Sequence, residues 1–219
     1  MTDEVRQMES ALFEGIQGEN RLAVLSCIGY HIRSYQKGEI VTMAQESVQK
    51  VGILLSGAVD MVKEDVWGNR SLLLRCKKDD VFGETFACGT DSVSVVSFVA
   101  AEQSKVLFVS FGRVMRTCTN ACEHHHRLVE NMVRVIADKN RELLQKVEII
   151  SKKTLREKIL AYLSHYSQQC GSSYFQIPLG RMEMAEYLCA DRSALTRELA
   201  RMRSEGLLDY DRNYFRLLR

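Results

Sequence analysis

Near the C-terminus of this 219-residue chain, Asp191, Arg192, Ser193, Thr196 and Arg197 stand at the head of a helical pattern. They are the residue types that read a nucleic-acid base. A guanidinium donates two parallel bonds to guanine O6 and N7, a pairing worth about 1–3 kcal/mol of discrimination against other bases. Arg192 and Arg197 are the candidates for that contact, and Asp191 is placed to cap the helix through its carboxylate. Arg181, Arg201 and Arg212, with Lys152 and Lys153, suit phosphate contacts, which position a protein on a duplex without specifying sequence. The competing reading is that these arginines merely solvate a surface.

A second cluster is Cys118-Thr119-Asn120-Ala121-Cys122-Glu123-His124-His125-His126. On a helix, Cys118, Cys122 and His125 or His126 share one face, and thiolate with imidazole suits Zn²⁺ or haem iron. The alternatives are a redox pair of Cys118 and Cys122, or a solvated helix start whose thiols pack as small hydrophobes. No acid–base constellation or phosphate-cradling loop accompanies the cluster, so the reading is not an enzyme. Cys27 is the only cysteine before residue 76 and no C-x-x-C occurs, so an N-terminal iron–sulfur site is not expected. Seven cysteines without regular spacing fit a reducing compartment, the cytoplasm.

The elements that would position the arginines are legible in the pattern. Arg181 to Leu188 and Asp191 to Ser204 read as two helices separated by Cys189-Ala190, a helix-turn-helix. Gly206 ends the second helix. Leu207 to Tyr210 and Tyr214 to Leu217 form a hairpin around Asp211-Arg212-Asn213, a wing. Ahead of them lie an amphipathic helix over Leu155 to Ser167 and a short strand over Tyr174 to Ile177.

From about Ala121 a long helix carries Val129, Val133, Ile136, Asn140, Leu143, Val147 and Ile150 at alternating spacings of four and three. That is a heptad seam, and β-branched residues with one Asn at its a positions favour two parallel strands, hence a homodimer. The seam could instead pack on its own domain, a role the stripe Leu128, Met132, Val135 fills equally well. Between Ile32 and Phe111, Gly-punctuated runs such as Val51 to Leu55, Ala58 to Val62 and Lys105 to Val109 read as closely spaced strands of a sandwich or barrel. Trp67-Gly68-Asn69 marks a hairpin tip, and Glu4 to Cys27 a helical lead-in.

Composition agrees with a folded protein: 46% hydrophobic, 26% charged, a single Pro and 13 Gly. No apolar run approaches the ~20 residues of a membrane span, and the acidic opening Met1-Thr2-Asp3-Glu4 offers no secretion signal. Residues 152–219 hold 12 Lys/Arg against 8 Asp/Glu, and the remainder 18 against 20, so the basic charge sits at the C-terminal end. This is the weak footprint of a polyanion-binding module. Three regions follow: a strand-rich domain over 1–120, a dimerisation helix over 121–151 and a winged helix over 152–219.

The chain resembles the CRP/FNR superfamily of bacterial transcription regulators over nearly its full length. The resemblance rests on Leu55-Ser56-Gly57-Ala58-Val59 and Asp80-Val81-Phe82-Gly83-Glu84 in the barrel. In the tail it rests on Ile177 to Leu188, Asp191 to Leu199 and Leu207-Leu208. It implies an α+β fold: an N-terminal double-stranded β-helix (jelly-roll) barrel of cyclic-nucleotide-binding type, a long dimerisation helix and a C-terminal winged helix-turn-helix. It also implies a palindromic operator in double-stranded DNA, a small-molecule effector and, by analogy, RNA polymerase as a partner.

Three departures qualify the likeness. Cys189 stands where many members have Gly, and Ser193 where several have a base-reading Glu. The Arg-Ser pair that holds the phosphate of cyclic AMP falls on Ser94-Val95, within a stretch from Asp91 to Ala101 that contains no Lys or Arg. An unpaired anion buried there is poorly compensated, so cyclic AMP is disfavoured. The family's effector pocket maps onto Phe82, Gly83, Glu84, Ser94, Val95, Leu143 and Leu144, which suits an apolar ligand or none.

Overall fold

The computed structural model describes residues 2–115 and 123–218 and divides the chain into two compact units, 1–68 with 73–141 and 69–72 with 142–219. None of its helices, among the described residues, is long and apolar enough to cross a membrane.

The first unit opens with α1 (Thr2–Gln7), a 3₁₀ turn (Ala11–Phe13) and α2 (Gly18–Ile28). The helical lead-in is thus broken into three pieces. Gly15 and Gly18, at φ +75° and +56°, adopt the left-handed backbone that turns the chain between them. The buried guanidinium of Arg21 donates to the carbonyls of Val5, Arg6, Met8 and Ile16, tying down the end of α1.

Strands β1 (Tyr30–Tyr35), β2 (Ile40–Thr42), β3 (Lys50–Ser56), β4 (Val59–Glu64), β5 (Arg70–Cys76) and β6 (Val81–Phe82) follow. After them come α3 (Glu84–Ala87), β7 (Ser97–Ala100), β8 (Ser104–Ser110), α4 (Phe111–Val114) and α5 (Glu123–Ile150). The strands form two four-stranded sheets with strand orders β1-β8-β3-β6 and β2-β7-β4-β5, the jelly-roll expected of the barrel. Strand β3 is buried on both faces from Val51 to Leu55, so its sequence is a continuous apolar run rather than an alternation.

The core of this unit joins Val51, Ile53, Leu107 and Val109 of the sheet to Leu12, Phe13 and Leu25 of the lead-in and to Leu128, Met132 and Val135 of α5. The second stripe of the long helix therefore packs on its own domain. The seam remains largely outside: Val133 and Val147 are 63% and 54% exposed, and Ile136 and Asn140 are exposed too. Val129, Leu143 and Ile150 are half-buried.

The second unit contains the end of α5, α6 (Leu155–Cys170), β9 (Tyr174–Gln176), α7 (Arg181–Tyr187), α8 (Arg192–Ser204), β10 (Leu208–Asp211) and β11 (Tyr214–Leu217). Thr154 starts α6 with a reciprocal capping box to Glu157, and Gly171 closes it in the left-handed conformation. The three strands pair antiparallel in the order β10-β11-β9. Leu163, Phe175, Met184, Leu195, Leu199, Met202 and Phe215 fill the space between this sheet and the helices.

Candidate nucleic-acid interface

Helix α8 is built to show one face outward. Leu195, Leu199 and Met202 recur at helical spacing and are fully buried, so Arg192, Ser193, Thr196 and Arg197 are exposed on the other side. Asp191 starts the helix from extended backbone. One of its carboxylate oxygens accepts from the amides of Ser193 (2.8 Å) and Ala194 (3.0 Å) and from the Ser193 hydroxyl (2.6 Å). The hydroxyl and those amides hold its pKa below the ordinary aspartate value. Asp191 and Ser193 are therefore engaged with each other, and the Thr196 hydroxyl donates to the Arg192 carbonyl at 2.9 Å. The guanidinium groups of Arg192 and Arg197 make no ion pair or hydrogen bond among the described residues, which leaves all their donors for a ligand.

Arg156, Arg181, Arg201 and Arg203 are held. Arg201 donates through Nε to Glu205 at 3.1 Å. The same carboxylate takes two bonds from Arg156 of α6, at 2.6 and 3.0 Å, while Arg156 Nε reaches Glu198 at 2.6 Å. The bonds from Arg156 lower the pKa of Glu205, and the two carboxylates raise that of Arg156. Two cations and two anions thus alternate across α6 and α8. On the opposite flank Arg203 Nε forms an ion pair with Asp209 of the wing at 2.8 Å.

Arg181, the first residue of α7, is half-buried, with its guanidinium 4.8 Å from the Tyr210 ring centroid and 5.0 Å from that of Phe215. Burial lowers its pKa. The structure places it on the wing sheet rather than extended into solvent. Arg212 occupies the tip of the β10–β11 turn, exposed, at φ +52°. In the turn between α7 and α8, Cys189 adopts φ +51°, the backbone that glycine would take without cost.

The other site residues are more scattered. Gly83 (φ +80°) caps α3, and the neighbouring Glu84, buried, accepts from the Thr85 hydroxyl at 3.3 Å. The Phe82 ring packs 5.2 Å from Phe98 and edge-on to Phe108 at 6.3 Å. Ser94 is fully buried and spends its hydroxyl on the Val96 carbonyl at 2.6 Å, whereas Val95 is half exposed. Arg75 is bound by two bonds, 2.7 and 2.9 Å, to the buried carboxylate of Asp60. Leu143 and Leu144 lie on the part of α5 that belongs to the second unit, Leu144 exposed.

Of the cysteine–histidine cluster, Cys118 and Cys122 lie outside the described residues. His124 is half-buried, His125 is buried, and His126 is exposed 3.4 Å from Glu130. Among the described residues no three His, Cys, Asp or Glu side chains are grouped to hold a metal ion. Sequence reasoning passed over Arg156, Glu205, Asp209 and Tyr210. The signal for them was the acid–aromatic pair Asp209-Tyr210 beside a helix ending in Arg201 and Arg203.

Comparison with known proteins places these features in context. The profile of the cyclic nucleotide-binding domain matches residues 32–120, and that of the Crp-like helix-turn-helix domain matches residues 157–219. No curated protein sequence matches the chain. Among solved structures, a mutant of CooA from Carboxydothermus hydrogenoformans superposes at a TM-score of 0.74 with 18% identity, covering 99% of this chain and 95% of that one. The c-di-GMP responsive global regulator CLP of Xanthomonas campestris gives 0.72 with 16% identity over 90% and 96%. FixK2 from Bradyrhizobium japonicum gives 0.67 with 18% identity over 87% and 93%. With both of its family profiles in order along one chain and this fold behind them, the protein belongs to the CRP/FNR family of transcription regulators.

Proposed function

We propose that the protein binds a palindromic operator in double-stranded DNA as a homodimer, with α8 of each protomer in the major groove. One observation supports this reading: the outward face of a capped helix presents Arg192 and Arg197, whose guanidinium groups make no hydrogen bond or ion pair among the described residues, flanked by further arginines. Arg192 and Arg197 read bases. Arg201, Arg212 and Arg181, with Lys152 and Lys153, contact phosphate. The exposed seam of Val133, Ile136, Asn140 and Val147, continued by the half-buried Val129, Leu143 and Ile150, joins two copies. Their recognition helices then reach half-sites about 34 Å apart. In this reading residues 1–120 sense, 121–151 dimerise and 152–219 read DNA in the cytoplasm, and RNA polymerase is the partner that converts occupancy into transcription.

For the effector the chemistry favours an apolar small molecule over a cyclic nucleotide. Ser94 is already committed to a backbone carbonyl, Arg75 is neutralised by Asp60, and Asp91 to Ala101 supplies no cation for a phosphate. Binding would shift the population of dimers whose recognition helices match the operator spacing.

The test is fluorescence anisotropy with a duplex selected from genomic fragments and a random duplex. Arg192→Ala and Arg197→Ala should each weaken binding to the selected duplex by roughly 5- to 150-fold per half-site, the equivalent of one lost base contact in each protomer, with a smaller loss on random DNA. Equal losses on both duplexes would remove the base-reading assignment.

A further inference from the structure

Two arginines near the end of α8 bracket its outward face, and each is matched by a carboxylate of the same unit. Arg201 has Glu205, which Arg156 also holds with two further bonds. Arg203 has Asp209 alone. Its Nε forms an ion pair with Asp209 Oδ1 at 2.8 Å, and its guanidinium carbon stands 5.4 Å from the centroid of the Tyr210 ring. Both ends of this pair are more than half exposed.

Three features distinguish Arg203. On helical spacing it shares a stripe with Arg192 and Thr196, about three turns further on and therefore some 16 Å along the axis. Bases are read from the N-terminal half of such a helix, so a cation at this depth meets the sugar–phosphate backbone. Secondly, its guanidinium makes no hydrogen bond among the described residues, so its terminal nitrogens keep a two-pronged edge suited to a phosphodiester. Thirdly, the same Tyr210 ring also packs against Arg181, 4.8 Å from its guanidinium carbon, so two guanidinium groups crowd one aromatic ring.

We propose that Arg203 is a further DNA-backbone contact on the wing side of the recognition helix, and that Asp209 is a built-in competitor for it. In the free protein Asp209 stands where a phosphate oxygen would otherwise compete, holding the guanidinium against Tyr210. On DNA the phosphate takes the open edge, and the nearby carboxylate opposes it. Asp209 thus lowers affinity for every duplex alike and leaves the discrimination made by Arg192 and Arg197 intact. This rests on the DNA-binding reading above.

The experiment measures affinity for random and selected duplexes across a salt series, using the full chain. Arg203→Ala should weaken binding to both duplexes by the same factor and flatten the plot of log affinity against log salt by about 1.8, that is about 0.9 for the one phosphate contact of each protomer in the dimer. Arg203→Lys should restore the slope. Asp209→Asn, which keeps the oxygen that accepts the Tyr210 amide at 2.9 Å, should raise affinity about 2- to 5-fold per protomer on both duplexes, the size expected for one exposed charge interaction in each.

The double variant decides between a contact and a long-range charge effect. In an Arg203→Ala background, Asp209→Asn should change little. Full additivity of the two substitutions, an unchanged salt slope in Arg203→Ala, or weaker binding in Asp209→Asn would each overturn the proposal. A wild-type chain that ignores every duplex overturns instead the reading beneath it. Thermal melts establish that the variants are folded, so that a lost contact is not mistaken for a lost domain.

Discussion

The ammonium of Lys146 stands 3.7 Å from the centroid of the Tyr187 ring and donates to the carbonyl of that same residue at 2.6 Å. Its other bond goes to the Leu72 carbonyl, also within the second unit. The residue is only 3% exposed, and its two hydrogen-bond acceptors are both neutral carbonyls. Burial accordingly pushes its pKa down to about 8.

The sign of the pH dependence follows. Between about pH 8 and the ordinary lysine range the unfolded chain binds more protons than the folded one, so stability rises with pH there, by at most about 1.4 kcal/mol per unit. Cys88, whose thiol burial pushes up to about 11, works the other way once the unfolded thiol ionises near pH 9, and so does Tyr187, whose pKa burial also raises, near pH 10. Urea midpoints should therefore climb from pH 7.5 to about 9 and then level off. Lys146→Met should flatten the climb. A wild-type midpoint that is level or falling across that interval would contradict the burial argument.

Asp191 makes a separate prediction at the head of α8. Asp191→Ala removes the acceptor of two backbone amides and lets the first turn fray, so binding to a selected duplex should weaken several-fold. Asp191→Asn keeps a capping oxygen and should lose much less. The depressed carboxyl stabilises the fold above the ordinary aspartate value, and that contribution disappears as pH falls through the lower folded value. Circular dichroism between pH 5 and pH 2 should show the Asp191→Ala variant with a shallower acid transition.

In the barrel, Phe82 and Gly52 are fitted to each other: a Cβ on residue 52 would lie 2.5 Å from the tip of the Phe82 ring. Gly52→Ala should cost about 1–3 kcal/mol through overpacking. Phe82→Ala should cost about 3–5 kcal/mol through the cavity it leaves between Phe98 and Phe108. Urea denaturation measures both, and a substitution at Gly52 that costs nothing would show that the ring is free to move.

The seam of α5 is tested by charge. Val133→Glu with Val147→Glu places like charges along the exposed stripe, and the chain should become monomeric by light scattering at micromolar concentration. Binding to a palindromic duplex should fall to the level of a single half-site. A double variant that stays dimeric would move the interface off this helix.

Much of this architecture was legible because it rests on periodicity. The strands around Val51, Val59 and Val106, the two helices about Cys189 and the wing all carry apolar spacings that only one element satisfies. Strand β1 was not evident, because Tyr-His-Ile-Arg-Ser-Tyr is an edge strand with a mostly exposed pattern and no apolar alternation. Two-residue β6 is too short to show a period. Arg21, Asn131 and Lys146 are polar groups buried by tertiary contacts, and nothing local marks them. Asn131, for instance, donates to the carbonyls of Leu12 and Glu14, more than a hundred residues away. The outward face of α8 was legible from helical spacing, whereas the pairing of Arg203 with Asp209 depends on a hairpin register that spacing alone leaves open.

Cys189 holds a conformation that a side chain resists, at the point where the chain reverses between the two helices of the reading head. A left-handed residue other than glycine or asparagine is disfavoured by about 1–2 kcal/mol, so the native turn stores tension that its neighbours restrain. Exchanging that cysteine for glycine takes a single base change in its codon. The present sequence therefore stands one mutational step from a sturdier version of itself, and a screen for heat-resistant variants should return to this position repeatedly.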